Sequence, residues 1–119
     1  MHELAVCQAL LDQVQRVAAQ NGAQTVCEIV VRMGPLSGVE PELLEQAYSI
    51  ARAGTVASSA ALVLESSALR VHCDQCATES EVTVTRLTCP HCGNWRTTLV
   101  SGDELVLARV ELERPPGLH

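Results

Sequence analysis

The spacing of apolar residues predicts a helix at the start of the chain. Five apolar residues recur at intervals of three and four and so share one helix face: Leu4, Cys7, Leu11, Val14 and Ala18. Asn21-Gly22 follows this stretch, and such a pair commonly ends a helix. The sequence therefore predicts a helix that begins at about Glu3 or Leu4 and turns an apolar face inward.

Residues 25–33 carry a period of two, which is typical of a strand. The alternate positions expected on one face are Cys27, Ile29, Val31 and Met33. Gly34-Pro35 breaks this strand, and Glu40-Pro41 opens a second helix because proline suits the first helical turn. The expected inner face of that helix consists of Leu43, Leu44, Ala47, Ile50 and Ala51.

Two further strands are expected on either side of a cysteine-rich segment. Residues 61–71 precede the segment and residues 104–113 follow it, and strands that flank an insertion can pair as neighbours. The predicted fold is α+β: two helices on a small three-stranded antiparallel sheet, with an inserted zinc-ribbon-like module of four cysteines. We expect an α+β domain made of residues 1–71 and 101–114, a zinc-binding domain at 72–100, and a mobile tail at 115–119.

Four cysteines form two Cys-x2-Cys pairs separated by twelve residues: Cys73, Cys76, Cys89 and Cys92. Each pair can turn two thiolates toward one point, and two pairs joined by a hairpin supply the tetrahedral four-sulfur shell that suits zinc. Residues 81–85 alternate as a strand does, and Gly93 suits a tight turn after the second pair. Two disulfides, or an iron site of the same geometry, are the alternatives.

A zinc ion held by four protein ligands has no open coordination position, so we expect a structural metal. Zinc deaminases carry His-x-Glu ahead of Pro-Cys-x-x-Cys, and this chain has no His-x-Glu. The sequence also shows no nucleophile–base pair and no phosphate-binding loop. We therefore expect the protein not to be an enzyme.

The other cysteines and the histidines beside the pairs have simpler interpretations. Cys7 and Cys27 lie on predicted apolar faces, which favours core packing. His72 and His91 adjoin the cysteine pairs, where they could bond a thiolate or tune the metal site. Exposed loop histidines are the alternative for both.

Charge and composition exclude several classes of partner. The net charge is −6, the arginines are scattered, and only Trp95 and Tyr48 are aromatic, so we expect no nucleic-acid partner. The sequence shows no apolar run of about 18 residues and no basic, apolar leader, so we expect neither a membrane span nor a signal peptide. A cytoplasmic, reducing location follows, where cysteines serve as thiols or metal ligands.

The chain opens with Met1-His2-Glu3, which offers a set of donors for a metal ion. The α-amine, the amide nitrogen of residue 2 and the His2 imidazole can close adjacent chelate rings, and Ni(II) and Cu(II) favour such square-planar nitrogen sites. Glu3 can add a fourth donor through its amide nitrogen or its carboxylate. Taken alone, the same residues also fit an ordinary solvated terminus.

Four stretches taken together resemble the HypA/HybF family of nickel metallochaperones: MHELAVC at the start, GPLSGVEPELL at 34–44, the double Cys-x-x-Cys ending in CPHCG, and SGDELVLARVELE at 101–113. The resemblance runs from Met1 to about Glu113. It implies Ni(II) binding through Met1, His2 and Glu3, and structural Zn(II) at the four paired cysteines. It also implies delivery of nickel to the large subunit of nickel-iron hydrogenase with a GTPase partner and, in some organisms, service to urease.

The chain departs from the family pattern in two places. Relatives commonly carry Phe in the second helix, where this chain has Gln46 and Tyr48, and residues 115–119 match no family pattern. The first departure concerns local packing and leaves the metal sites intact.

Several points about partners stay open. The acidic residues Glu40, Glu42 and Glu45 could contact the GTPase partner, or could simply be a solvated helix start. The family forms monomers or dimers, and an exposed edge strand permits a homodimer. The alternative function is a zinc-ribbon adaptor that binds proteins without transferring nickel.

Overall fold

The computed structural model describes residues 2–113, and this part of the chain forms two helices and six strands. The elements are α1 (His2–Gln20), β1 (Thr25–Met33), α2 (Pro41–Ala51), β2 (Ala61–Ser66), β3 (Arg70–Cys73), β4 (Glu79–Glu81), β5 (Thr97–Ser101) and β6 (Leu105–Glu113). The strands make two three-stranded sheets, ordered β2-β1-β6 and β4-β3-β5. The predicted α+β fold is thus confirmed. Met1, a predicted nickel ligand, and the predicted tail at 115–119 lie outside the described residues.

Contacts divide the described residues into two compact units. One contains residues 2–31, 39–64 and 107–113, and the other contains residues 32–38 and 65–106. In the first unit, α1 packs against α2. Its apolar interior is lined by side chains that include Cys7, Leu11, Val14, Ile29, Leu44 and Tyr48. None of the helices in residues 2–113 is long and apolar enough to cross a membrane.

The inner face of α1 differs from the prediction at its first turn. Leu4 is 43% exposed, whereas Glu3 is only 5% exposed. The helix begins at His2, and Glu3 falls in line with Cys7, Leu10 and Val14 at steps of three and four. A carboxylate therefore occupies the place that the apolar pattern assigned to a leucine.

The inner face of α2 is also rotated from the predicted one. Leu44, Ala47 and Tyr48 are buried, whereas Leu43 and Ile50 are exposed, Ile50 to 73%. Tyr48 sets this orientation because its hydroxyl donates a hydrogen bond to the carbonyl of Ala60 at 2.7 Å. A buried phenol needs such a partner, and the loop ahead of β2 supplies it.

The predicted strand at 61–71 is two strands that belong to different sheets. β2 ends at Ser66, and β3 begins at Arg70. The backbone N–H of Ser67 leaves the strand direction and donates to the carbonyl of Met33 at 3.0 Å. The two serines thus mark a real break in the strand.

The expected pairing of the two flanking strands was wrong as stated. β1 lies between β2 and β6, so the long strands before and after the cysteine segment are not neighbours. The shorter β3 and β5 take that role and pair antiparallel, with His72 opposite Thr98. Of the strand expected at 81–85, only Glu81 belongs to a strand, as the last residue of β4. The following residues form a turn that is closed by a bridge between Thr83 and Arg86.

Two glycines in the second unit allow a close passage of backbone. A Cβ on Gly34 would lie 2.0 Å from the Gly102 carbonyl oxygen, and a Cβ on Gly102 would lie 2.6 Å from Leu69 Cδ1. The Gly34 N–H donates to the carbonyl of Glu104 at 2.9 Å. The Glu104 carboxylate in turn accepts the Gly102 N–H at 2.8 Å and the Ser67 hydroxyl. The Ser67 hydrogen bond lowers the pKa of Glu104, so this carboxyl is held in its charged form.

Candidate metal sites

The four paired cysteines meet at one point in the second unit. Their Sγ atoms all lie within 4.8 Å of one another. The separation is 3.5 Å between Cys73 and Cys92 and 3.7 Å between Cys76 and Cys89. A tetrahedron with Zn–S bonds of about 2.3 Å has edges of about 3.8 Å. The thiol cluster therefore has the size that a tetrahedral ion requires, and all six cysteines of the chain are free thiols.

Each Cys-x2-Cys pair is shaped by the same two backbone hydrogen bonds. In the first pair, the Ala77 N–H donates to the Cys73 carbonyl at 2.9 Å and the Cys73 N–H donates to the Thr78 carbonyl at 3.0 Å. In the second pair, the Gly93 N–H donates to the Cys89 carbonyl at 2.8 Å and the Cys89 N–H donates to the Asn94 carbonyl at 2.9 Å. The two turns are thus backbone copies of each other, and both hold their thiols toward the same centre.

The two turns place a left-handed residue at the equivalent position. Ala77 has a φ of 59° and Gly93 a φ of 75°. Glycine adopts this conformation freely, whereas alanine loses about 1–2 kcal/mol there because its Cβ crowds the backbone. The expectation for Gly93 is met, and the strain at Ala77 had no sequence signal.

The thiols differ strongly in how readily they ionise. The Thr78 side chain, followed by hydrogen bonds from the neighbouring thiols, lowers the pKa of Cys76 to about 6. The Asn94 backbone N–H works to lower the pKa of Cys92, but the neighbouring thiols and desolvation together raise it to about 11. Four thiolates repel one another at these distances, so a cation is needed before all of them ionise together.

Neither histidine beside the cysteine pairs enters the thiol cluster. The group that could hold a metal consists of the four cysteines alone among the described residues. His91 is exposed in the second turn, and His72 is a partly buried member of β3, opposite Glu79. The structure thus assigns neither of them a ligand role.

Cys7 and Cys27 have different surroundings, although the sequence suggested core packing for both. Cys7 is buried in the helix-lined interior, where desolvation raises the pKa of its thiol. Cys27 is exposed, so its expected place on the buried face with Ile29 and Val31 was wrong. The buried residue at this end of β1 is its neighbour Val26, and continuous burial runs from Ile29 to Val31.

The first turn of α1 brings His2 and Glu3 together. The His2 side chain is 60% exposed, and its Nε2 atom lies 3.4 Å from the Glu3 carboxylate. That carboxylate also accepts the backbone N–H of Glu40 at 3.4 Å. The hydrogen bonds that it accepts lower the pKa of Glu3, although burial acts in the opposite direction. The buried state of Glu3 was missed from the sequence because an acid in a first helical turn normally faces solvent.

The sequence matches one protein family along almost its whole length. The family described as "Hydrogenase/urease nickel incorporation, metallochaperone, hypA" matches residues 1–112. A hydrogenase maturation factor HypA from Nitrosospira multiformis is 47% identical over 112 residues, covering 94% of this chain and 97% of that protein. The corresponding factor from Aquifex aeolicus is 42% identical over 113 residues, covering 95% and 98% of the two chains.

Two solved structures share the fold. The solution structure of the Ni metallochaperone HypA from Helicobacter pylori superposes with a TM-score of 0.68 at 22% identity, covering 94% of this chain and 97% of that one. A second solution structure, of a HypA protein, gives a TM-score of 0.73 at 23% identity over 95% and 97% of the chains. At such identities the likeness shows the fold alone.

Proposed function

This chain belongs to the HypA family of hydrogenase maturation factors and nickel metallochaperones, and from that premise we propose that it binds Ni(II) at its N-terminus and delivers the ion to the large subunit of nickel-iron hydrogenase. The observation that carries the proposal is the pairing of an exposed His2 with a buried Glu3 at the start of α1. A cargo ion needs a site that a second protein can reach, and His2 is accessible.

In this proposal Met1, His2 and Glu3 supply the nickel donors. A histidine that binds a metal commonly directs its second ring nitrogen at a carboxylate, which fixes the ring. Nε2 of His2 faces the Glu3 carboxylate, and in this proposal Nδ1 closes the chelate ring that includes the amide nitrogen of residue 2. The Glu3 carboxylate then orients the imidazole, and the Glu3 amide nitrogen is the better candidate for the fourth donor.

Cys73, Cys76, Cys89 and Cys92 are proposed to hold a structural Zn(II). The thiol cluster fits a tetrahedral ion in size and in donor type. When bound, zinc supplies a fixed crosslink between the two turns and takes no part in chemistry. The residues around it do the remaining work, because the paired backbone hydrogen bonds aim the thiols before any ion arrives. On this basis residues 72–100 are proposed as the zinc-binding domain.

Delivery requires partners, and α2 offers a surface for one of them. We assign to the hydrogenase-maturation GTPase the acidic start of α2, formed by Glu40, Glu42 and Glu45, together with the exposed Leu43 and Ile50. Apolar side chains ringed by charge are typical of protein-binding surfaces. The GTPase, the hydrogenase precursor, urease maturation proteins and a second copy of the chain are the proposed partners, all in the cytoplasm.

The decisive experiment is a nickel titration of untagged, zinc-loaded protein that begins at Met1, with zinc measured on the same sample. We expect one nickel per chain and one zinc per chain. The matched controls are a protein extended by two residues ahead of Met1 and the His2→Ala variant. Both should keep zinc and lose specific nickel binding, since each removes one donor of the chelate.

Two results would contradict the proposal in different ways. Equal nickel affinity in the native and extended proteins would show that the terminus is not the site. Retained zinc with no specific nickel binding in any form would favour the zinc-ribbon adaptor, which binds proteins without transferring a metal.

A further inference from the structure

The second cysteine turn carries an exposed tryptophan that neither metal site uses. Trp95 is 74% exposed, although it is the one tryptophan of a chain with only two aromatic residues. Tryptophan buries a large apolar area and is enriched among residues that dominate binding energy at protein interfaces. Its position on the surface therefore calls for a functional explanation beyond folding.

The backbone around Trp95 is held in place from both sides. The carbonyl of Asn94 accepts the Cys89 N–H at 2.9 Å, and the carbonyl of Arg96 accepts the Asp74 N–H at 3.0 Å. The Asn94 side chain also accepts the Arg96 N–H at 2.7 Å. The backbone that carries the indole is thus hydrogen-bonded to both cysteine turns. Binding through a pre-organised group costs little conformational entropy.

Arg96 adds positive charge beside the indole. Its guanidinium carbon lies 5.2 Å from the centre of the Trp95 ring, which is cation–π range. Within residues 2–113, the ion pairs of arginine with carboxylates involve Arg32, Arg70 and Arg109, so Arg96 has no such pair there. In a chain with a net charge of −6, Arg96 thus places one positive charge against an exposed aromatic ring, whereas Arg52 lies over the buried ring of Tyr48.

The groove next to this pair lacks carboxylates. It is lined by Gln75, Cys92, Gly93, Asn94, Trp95 and Arg96. Two side-chain amides and a guanidinium give it hydrogen-bond donors, and the indole gives it an apolar wall. Leu87 is 40% exposed, and its carbonyl accepts the Thr97 hydroxyl at 2.8 Å, close to the same turn.

We propose that the groove between Trp95, Arg96 and Gln75 is a docking site for an acidic segment of a partner protein, in which a carboxylate meets Arg96 and an apolar side chain covers Trp95. The charge complementarity selects this occupant. The guanidinium of Arg96 selects a carboxylate, and the exposed indole of Trp95 selects an apolar side chain beside it, so a short acidic and apolar protein segment matches both halves of the groove. The proposal is independent of nickel binding, because it involves neither His2 nor Glu3.

The experiment uses the zinc-loaded full chain and the fluorescence of Trp95, which reports on the groove directly. The probe is an eight-residue peptide of alternating glutamate and leucine, titrated at low and at physiological salt. The comparison peptide has lysine in place of glutamate. We expect a blue shift of the emission with the acidic peptide only, weaker at higher salt since the contact is partly ionic.

Two variants distinguish the groove from general attraction. Arg96→Gln should lower the affinity for the acidic peptide by about three- to fivefold, as expected for the loss of one exposed charge pair. Arg16→Gln removes the same charge from an exposed site on α1 and should leave binding unchanged. Trp95→Ala, measured by calorimetry, should weaken binding further than Arg96→Gln.

Several outcomes would overturn the proposal. They are an unchanged emission up to millimolar acidic peptide, equal weakening by Arg96→Gln and Arg16→Gln, or a larger response to the lysine peptide. An emission shift with protein concentration alone would assign the groove to a second copy, and a stronger response to a single-stranded oligonucleotide would assign it to nucleic acid.

Discussion

The two candidate metal sites are built in opposite ways. The thiol cluster takes four side chains from two turns, and matching backbone hydrogen bonds aim those side chains. The N-terminal site rests on an exposed histidine and one buried carboxylate at the start of a helix. The first arrangement suits a metal that stays, and the second suits a metal that leaves. If both proposed sites are occupied, their ions should differ in lifetime, because one site is closed by four convergent thiols and the other is an open terminal chelate.

The strongest way to break this contrast is to remove one enclosed ligand. Cys89→Ser leaves three thiols and a weak hydroxyl, so zinc should be lost along with most of its binding free energy, which is about 10–16 kcal/mol for structural sites of this type. Zinc content and circular dichroism measure the result. Cys27→Ser removes an exposed thiol outside the cluster and should change neither. A zinc-loaded, folded Cys89→Ser protein would contradict the four-thiolate site.

The pH dependence of zinc binding tests how the four thiols of the cluster ionise. Cys76, with a pKa of about 6, is ionised at neutral pH, whereas Cys92, with a pKa of about 11, still holds its proton. Zinc binding at pH 7.5 should therefore release fewer than four protons, and the number should rise as the pH falls below about 6. Zinc affinity should fall over the same range, since protons compete for every thiol.

Proton release can be read with a pH indicator in weak buffer during zinc titration. Cys76→Ser is not a useful control, because it removes a ligand. Thr78→Val removes the group that most lowers the pKa of Cys76 and should bring proton release at pH 7.5 closer to four. A proton count that does not depend on pH would contradict the ionisation pattern.

The N-terminal site should respond to a smaller change. Glu3→Gln keeps the shape of the side chain but removes the charge that faces His2 Nε2. We expect nickel affinity to fall by roughly 10–100-fold, the usual effect of altering a group that orients a ligand. Calorimetry measures it, with Glu42→Gln as the control because Glu42 is an exposed acid in the first turn of α2. If the two variants lower nickel affinity equally, Glu3 acts only through the net negative charge of the protein and does not orient His2.

The smallest expected effect is a difference in stability between substitutions at equivalent positions of the two cysteine turns. Ala77→Gly should stabilise the zinc-loaded protein, and Gly93→Ala should destabilise it, each by about 1 kcal/mol, because both positions are left-handed. Denaturant unfolding with zinc present compares the pair directly. Changes of the same sign would mean that the turns are not backbone copies in solution.

The sequence predicted the parts of the molecule that are set by local pattern. The helix α1, the strand β1 and the four clustered cysteines follow from period and spacing, which neighbouring residues encode. The errors arose where distant residues decide. Glu3 is buried because Glu40 meets it, and α2 is rotated because Tyr48 bonds to Ala60. The order β2-β1-β6 likewise results from pairing between strands that are distant in sequence, which the local pattern of apolar residues does not predict.

The close passage of Gly34 and Gly102 restricts how this protein can be recombined with its relatives. The two positions lie far apart in sequence, yet a Cβ on Gly34 would collide with the Gly102 backbone and a Cβ on Gly102 would collide with Leu69. A chimera that exchanges the cysteine turns between two homologues must therefore take residues 32–38, the link around Ser67, and residues 101–104 from one parent. Crossover points placed inside any of these segments should give unfolded hybrids, whereas crossovers in the exposed turns elsewhere should be tolerated.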